Sequence, residues 1–302
     1  MKYDILLIGG NGFVGRVLAA QLQAEGYSVL LPTRHLAAAR ELRMLPKVHL
    51  EDADVHEFDA LQELCARIKP QGAIINLVGV LHDKPAEPYG KVFQAAHVEL
   101  PKNIMTAMQM HGLRRYLHMS ALGADSNGPS MYQRSKGDGE AAVKASNVDW
   151  TIFRPSVIFG EQDQFINLFA KLTKLFPAMP LANSDAQFQP VSVDDVASAF
   201  TKALKMPATI HQSYDLVGPT VYSMKEIVEF AARKSHTHCA IIPVPEFVGY
   251  LQALAFEFLP VPTLMSRDNI ASMKVPNILP LNGLDGLPSV FGISRRTLEG
   301  MK

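Results

Sequence analysis

The chain has 302 residues, 48% of them hydrophobic and 19% charged, with 29 basic side chains against 29 acidic ones. That apolar content excludes a disordered chain, and the length lets it bury roughly 75% of its unfolded surface without disulfides or metals. A formal charge of zero excludes a dominant nonspecific attraction to nucleic acid or anionic lipid.

In chain order, short apolar runs at residues 3–8, 27–31, 47–51, 73–77, 114–119 and 150–153 predict strands. Amphipathic patterns between them, among them 13–25, 57–68 and 131–145, predict helices. Ile5-Leu6-Leu7-Ile8 is too short for a signal-peptide core and leads straight into glycines, which fits a strand. Near-continuous apolar strands separated by helices predict a parallel sheet covered on both faces, a doubly wound α/β layer. Pro101 predicts a kink or a helix restart.

After Arg154-Pro155 prolines accumulate, which predicts shorter elements and longer connections. Residues 193–204 read as a helix entered through Ser192 or Asp194, and residues 213–217 as a strand. Both are expected to return to the main layer. Residues 1–155 and 188–218 then form the main domain, and residues 156–187 and 219–302 a smaller lobe for substrate or partner. Two cysteines, Cys65 and Cys239, are few for a secreted scaffold and predict reduced thiols in a cytoplasmic setting. No stretch is long and apolar enough for a membrane span.

The strongest chemical signal is Gly9-Gly10-Asn11-Gly12-Phe13-Val14-Gly15, directly after a strand and opening a helix. Such spacing supplies a turn that β-carbons forbid, a close backbone approach to a pyrophosphate and tight helix–strand packing. Bare amides and the helix dipole then favour the anion. At the end of the second strand, Pro32-Thr33-Arg34-His35 lacks the acidic residue that would bind a ribose 2′-hydroxyl. Arg34 suits a 2′-phosphate, so the sequence favours NADP(H) over NAD(H).

Further motifs follow in a familiar order. Asp54-Val55 comes after the third strand, Asn76-Leu77-Val78-Gly79 after the fourth and Ser120 after the fifth. Tyr132-Gln133-Arg134-Ser135-Lys136 and Phe153-Arg154-Pro155-Ser156 complete the series. Together they resemble the extended or atypical short-chain dehydrogenase/reductase superfamily, in its NAD-dependent epimerase/dehydratase branch. Residues 188–197 and 214–219 resemble an atypical subgroup similar to the nucleotide-binding accessory subunit of respiratory complex I. The resemblance implies a Rossmann fold with a smaller C-terminal substrate lobe. It implies that Gly9, Asn11, Gly12, Phe13 and Val14 surround the pyrophosphate, and that Asp54 and Val55 flank adenine. Val78 and Gly79 would lie beneath the nicotinamide ribose, with Pro155 and Ser156 near the carboxamide.

Tyr132 and Lys136 are four apart on one helix face. An ammonium and an oxidised nicotinamide nearby would both favour phenolate, and Ser120 could donate to a reacting oxygen. These three are the candidate catalytic group for hydride exchange coupled to proton transfer. The sequence departs from the enzymatic pattern in two places. Eleven residues separate Ser120 from Tyr132, and His97-Val98 stands where many relatives show an asparagine-led pattern.

Two functions therefore stay open. One is an NADP(H)-dependent oxidoreductase or epimerase/dehydratase-like enzyme on a small substrate, quinone-linked substrates included. The other is a non-catalytic nucleotide-binding structural or assembly subunit of a respiratory NADH:quinone oxidoreductase-type complex, peripheral to the inner membrane.

Other clusters read more plainly. His236, His238 and Cys239 do not complete a tetrahedral metal set and predict a polar turn. Asp194 and Asp195 fit helix capping and first-turn dipole stabilisation, and Met105, Met108 and Met110 fit helix packing. Phe247, Tyr250, Leu251, Leu254 and Phe258 form an apolar stripe, read as lobe core or pocket wall, with partner docking as the alternative.

Overall fold

Alternate residues of a strand face opposite sides of a sheet, so a strand covered on both sides must be apolar at every position. The computed structural model describes residues 1–258 and 266–301, and the seven strands of its main sheet meet that requirement at residues 5–8, 29–32 and 73–75, with polar residues toward the sheet edges and strand starts. The strands are β1 (Tyr3–Ile8), β2 (Val29–Thr33), β3 (Val48–Asp52), β4 (Ile68–Asn76), β5 (Arg115–Met119), β6 (Asp149–Pro155) and β7 (Gln212–Leu216). All pair in parallel, in the order β7-β6-β5-β4-β1-β2-β3. Strand order reverses between β1 and β4, which opens a crevice at the carboxyl edge.

On one face Ile5, Leu7, Leu31 and Phe153 pack against α1 (Phe13–Ala24). On the other, Leu6, Ile8, Leu30 and Ile74 meet α2 (Phe58–Ala66) and α3 (Leu100–Met110), near α4 (Met131–Lys144). Each buried aliphatic side chain contributes about 1.5–3 kcal/mol, so the alternation fixes both layers at once. β4 begins five residues before the expected strand. Tyr3 pairs with Ile68 but Ile5 with Ala73, so the register shifts across polar residues that carry no apolar signal.

A separate core forms around Phe159, Phe169, Leu181, Phe188, Met224 and Ile227, between α5 (Phe165–Leu175) and α7 (Met224–Lys234). The helix expected at 193–204 is α6 (Val193–Ala203), which packs with α1 over the main sheet. Ser192 is its N-cap residue without a side-chain cap bond. Asp195 does not cap; its carboxylate accepts from the Arg296 backbone N–H (2.8 Å) and guanidinium (2.9 Å), tying down the late segment. Leu287, Phe291 and Ile293 likewise return to the main core.

The stripe on α8 (Glu246–Phe258) is split between packing and solvent. Phe247 and Leu251 are 65% and 61% exposed, Tyr250 and Leu254 are half-buried, and Gly249 and Ala253 are buried. The Phe258 side chain lies outside the described residues, as do 259–265 and 302 of the expected lobe. Met105 and Met108 are buried as expected, whereas Met110 is exposed. Among the described residues there is no metal-binding cluster, and no helix is long and apolar enough to cross a membrane.

Candidate functional site

The glycine turn sits at the carboxyl end of β1. Gly9 has φ +78°, where a β-carbon is strained, and a β-carbon on Gly15 would collide with the backbone of Gly9 and Gly10. The Gly12 amide folds back on the Gly9 carbonyl (3.1 Å), and Gly12 caps α1 with no side-chain cap. The first-turn amides of Phe13, Val14 and Gly15 therefore have no acceptor in their own helix. No acidic residue occupies that turn. This cradle fits the pyrophosphate of a dinucleotide.

Asn11 sets the turn against the next strand, its amide donating to Thr33 Oγ1 at 2.9 Å. Beyond Thr33, Arg34 reaches the Asp54 carboxylate at 3.4 Å, with 62% of its own side chain exposed. Burial works against the Asp54 charge, but the His56 amide and Arg34 outweigh it and hold the carboxyl below its usual range. Arg34 and Asp54, at the ends of β2 and β3, thus meet each other. Val55 and Val78 are half-buried against the second-face core.

The strap after β4 is tied at both sides. Asn76 accepts from the Val78 amide at 3.0 Å and donates to the Tyr116 hydroxyl at 3.1 Å. That hydroxyl bonds His118 Nδ1 at 3.1 Å. Burial, then the Lys136 charge, push the His118 imidazole down to about 3, against the opposing pull of Glu140. The space a Gly79 β-carbon would fill is 3.5 Å from Lys136 Nζ.

Lys136 and Tyr132 share α4, but their polar atoms do not meet each other. Lys136 is buried and donates to the Met119 carbonyl at 3.1 Å, and burial pushes its ammonium down to about 8 despite Glu140. The half-buried Tyr132 hydroxyl has no hydrogen-bond partner among the described residues, and burial pushes it up to about 12. Ser120, next to Met119, is 3% exposed and its Oγ lacks a partner in hydrogen-bonding geometry, although it lies close enough to Glu140 to favour that charge. A buried hydroxyl left unpaired marks a place for a ligand atom.

Several supports carry no motif and escape a reading of the sequence. Glu140 takes both ends of the Arg154 guanidinium, at 2.7 and 2.5 Å, and Lys144 at 2.9 Å. The Asp268 carboxylate, on α9 (Arg267–Ser272), accepts from the Met131 and Tyr132 amides at 2.6 and 3.1 Å. Pro155 ends β6, and Ser156 beside it donates its hydroxyl to Asn277 Oδ1 at 2.6 Å. The shared helix face of Tyr132 and Lys136 is legible as a spacing; these long-range partners are not.

A profile of the NAD dependent epimerase/dehydratase family matches residues 5–217. The chain belongs to that family. It is 28% identical over 292 residues to the mouse mitochondrial NADH dehydrogenase [ubiquinone] 1 alpha subcomplex subunit 9, covering 93% of this chain and 74% of that one. It is 24% identical over 299 residues to a ceramide reductase of Caulobacter vibrioides, covering 96% and 90%. The NADPH-dependent quinone oxidoreductase of Escherichia coli, solved with NADPH, superposes with a TM-score of 0.74 at 14% identity, covering 97% and 96%. The matched span includes the glycine turn, Asp54, Ser120, Tyr132 and Lys136.

Proposed function

We propose that this family member binds NADP(H) along the carboxyl edge of the sheet and reduces a small carbonyl or quinone. The unpartnered, buried Ser120 hydroxyl carries the reading, since an arriving substrate oxygen would satisfy it. Gly9, Asn11, Gly12, Phe13, Val14 and Gly15 would hold the pyrophosphate, and Arg34 the 2′-phosphate. Asp54 and Val55 would flank adenine; Val78, Gly79, Pro155 and Ser156 would line the nicotinamide end. Residues 1–155 and 188–218 would hold the cofactor, with residues 156–187 and 219–302 framing the substrate or partner.

When bound, reduced nicotinamide supplies hydride to an electrophilic carbon. Tyr132 keeps its proton at neutral pH and donates it to the substrate oxygen, which accepts a second bond from Ser120. The Lys136 ammonium holds the Met119 carbonyl, and through it the strand end that carries Ser120. Single-turnover reactions of NADPH with quinones, ketones and sugars test this. An acceptor should oxidise the nicotinamide, and Tyr132→Phe should slow that step about 10²–10⁴-fold. If no acceptor does so, the reductase reading falls.

A second reading has its own support: the Lys136 cation faces a carbonyl instead of Tyr132, and relatives are named as respiratory-complex subunits. Here the chain holds NADP(H) without consuming it, as an assembly subunit peripheral to the inner membrane. A Tyr132→Phe strain then keeps complex assembly while Gly12→Asp loses it. The reverse order removes this reading.

A further inference from the structure

His97 sits in a π-helical turn, Gln94–Glu99, directly before α3. The cause lies four residues on. Pro101 offers no N–H to the His97 carbonyl, and its ring would clash with that carbonyl in a regular α-helix, so the turn widens. The carbonyl instead faces Gly139 of α4, where any β-carbon would overlap it. The widened turn aims the imidazole inward, 1% exposed, stacked on Phe93 at 5.3 Å and edge-on to Tyr132 at 5.6 Å.

Every proton on this ring can be placed. The Val80 amide can only donate, and it reaches His97 Nε2 at 3.1 Å, so Nε2 carries no hydrogen. The proton of the neutral ring is then on Nδ1, donated to Ser135 Oγ at 2.8 Å. Ser135 passes its own hydrogen to the Tyr132 carbonyl at 2.9 Å. Burial, then the Lys136 charge, push the imidazole down to about 2, so it stays neutral.

We propose that His97 is a positioning residue for the nicotinamide half of the dinucleotide: a fixed Nδ1–H tautomer that ties the Val78–Val80 strap to the turn of α4 bearing Tyr132. This rests on the dinucleotide reading above. The strap is then held at two amides, Val78 by Asn76 and Val80 by His97, on either side of Gly79. The adenosine end, at Arg34 and Asp54, does not touch His97.

The test compares NADPH with 2′,5′-ADP, which carries the adenosine end and no nicotinamide, on the full chain. His97→Phe keeps the ring volume and leaves the Val80 amide unpaired. It should weaken NADPH about tenfold and leave 2′,5′-ADP within about twofold. His97→Gln, which restores one acceptor and one donor, should recover most of the loss. Equal loss of both ligands, or no loss of either, overturns the inference alone. A wild-type chain that binds neither ligand overturns the dinucleotide reading and the inference with it. Nitrogen NMR of the wild-type imidazole decides even if the variants do not fold. Nε2 should stay unprotonated between about pH 5 and 8, and a protonated or titrating Nε2 overturns the assignment.

Discussion

The two ends of the cleft are built on opposite plans. At the end proposed for adenosine and pyrophosphate stand the glycine turn's bare backbone amides and an exposed Arg34 with one carboxylate partner. At the end proposed for nicotinamide, Asn76, His97, His118, Lys136 and Glu140 are all buried and each is bonded to a neighbour: Asn76 and His118 to Tyr116, His97 to Val80 and Ser135, Lys136 to the Met119 carbonyl, and Glu140 to Arg154 and Lys144. Exposed groups can exchange partners at little cost, which suits the first end to the proposed role of capturing a ligand. Buried networks cost much to disturb, so the second end fixes geometry.

Breaking the buried end should have the largest effect. Glu140→Ala leaves the part-buried Arg154 without its bidentate partner and should destabilise the fold by about 3–5 kcal/mol in urea unfolding. The pH dependence has a definite sign. The Glu140 carboxyl ordinarily titrates at 4.5; burial opposes its charge, but Arg154, Ser120 and Lys144 bring it down to about 2. Its stabilisation is complete above the unfolded value and fades as pH falls through that window, on the order of 3 kcal/mol. A stability curve flat over that range, with Glu140→Ala no weaker than wild type, would remove the network from the argument.

Next comes Gly12→Asp, which puts a carboxylate at the anion cradle. NADPH affinity should drop about a hundredfold with little change in melting temperature. Arg34→Ala should lower the NADPH-over-NADH preference about tenfold in paired titrations. An unchanged ratio assigns the 2′-phosphate elsewhere. Smallest of all, Phe247→Ser with Leu251→Ser should shift stability by less than about 0.5 kcal/mol, since both side chains already face outward.

Much of the first end was legible because its signals are local. The glycine spacing states a turn, and the strand before it states what the turn is attached to. The near-continuous apolar runs spaced by helices likewise predict the buried parallel sheet, since each run is complete within a few neighbours in sequence. The second end is written in long-range pairs. Glu140 with Arg154, Ser156 with Asn277 and Asp268 with the Tyr132 amide join residues between 14 and 136 positions apart, and no short window holds both partners. The α8 stripe misled for a related reason. Its periodicity reports an apolar face, but the small residues Gly249 and Ala253 decide which side packs.

Asp268 has a consequence for how the protein is born. The helix bearing Tyr132 emerges from the ribosome long before the carboxylate that covers its leading amides. During synthesis that helix must wait more than a hundred residues before the carboxylate that accepts its leading amides has been made. A nascent chain halted short of that carboxylate would therefore already own the sheet while its tyrosine corner stayed incomplete.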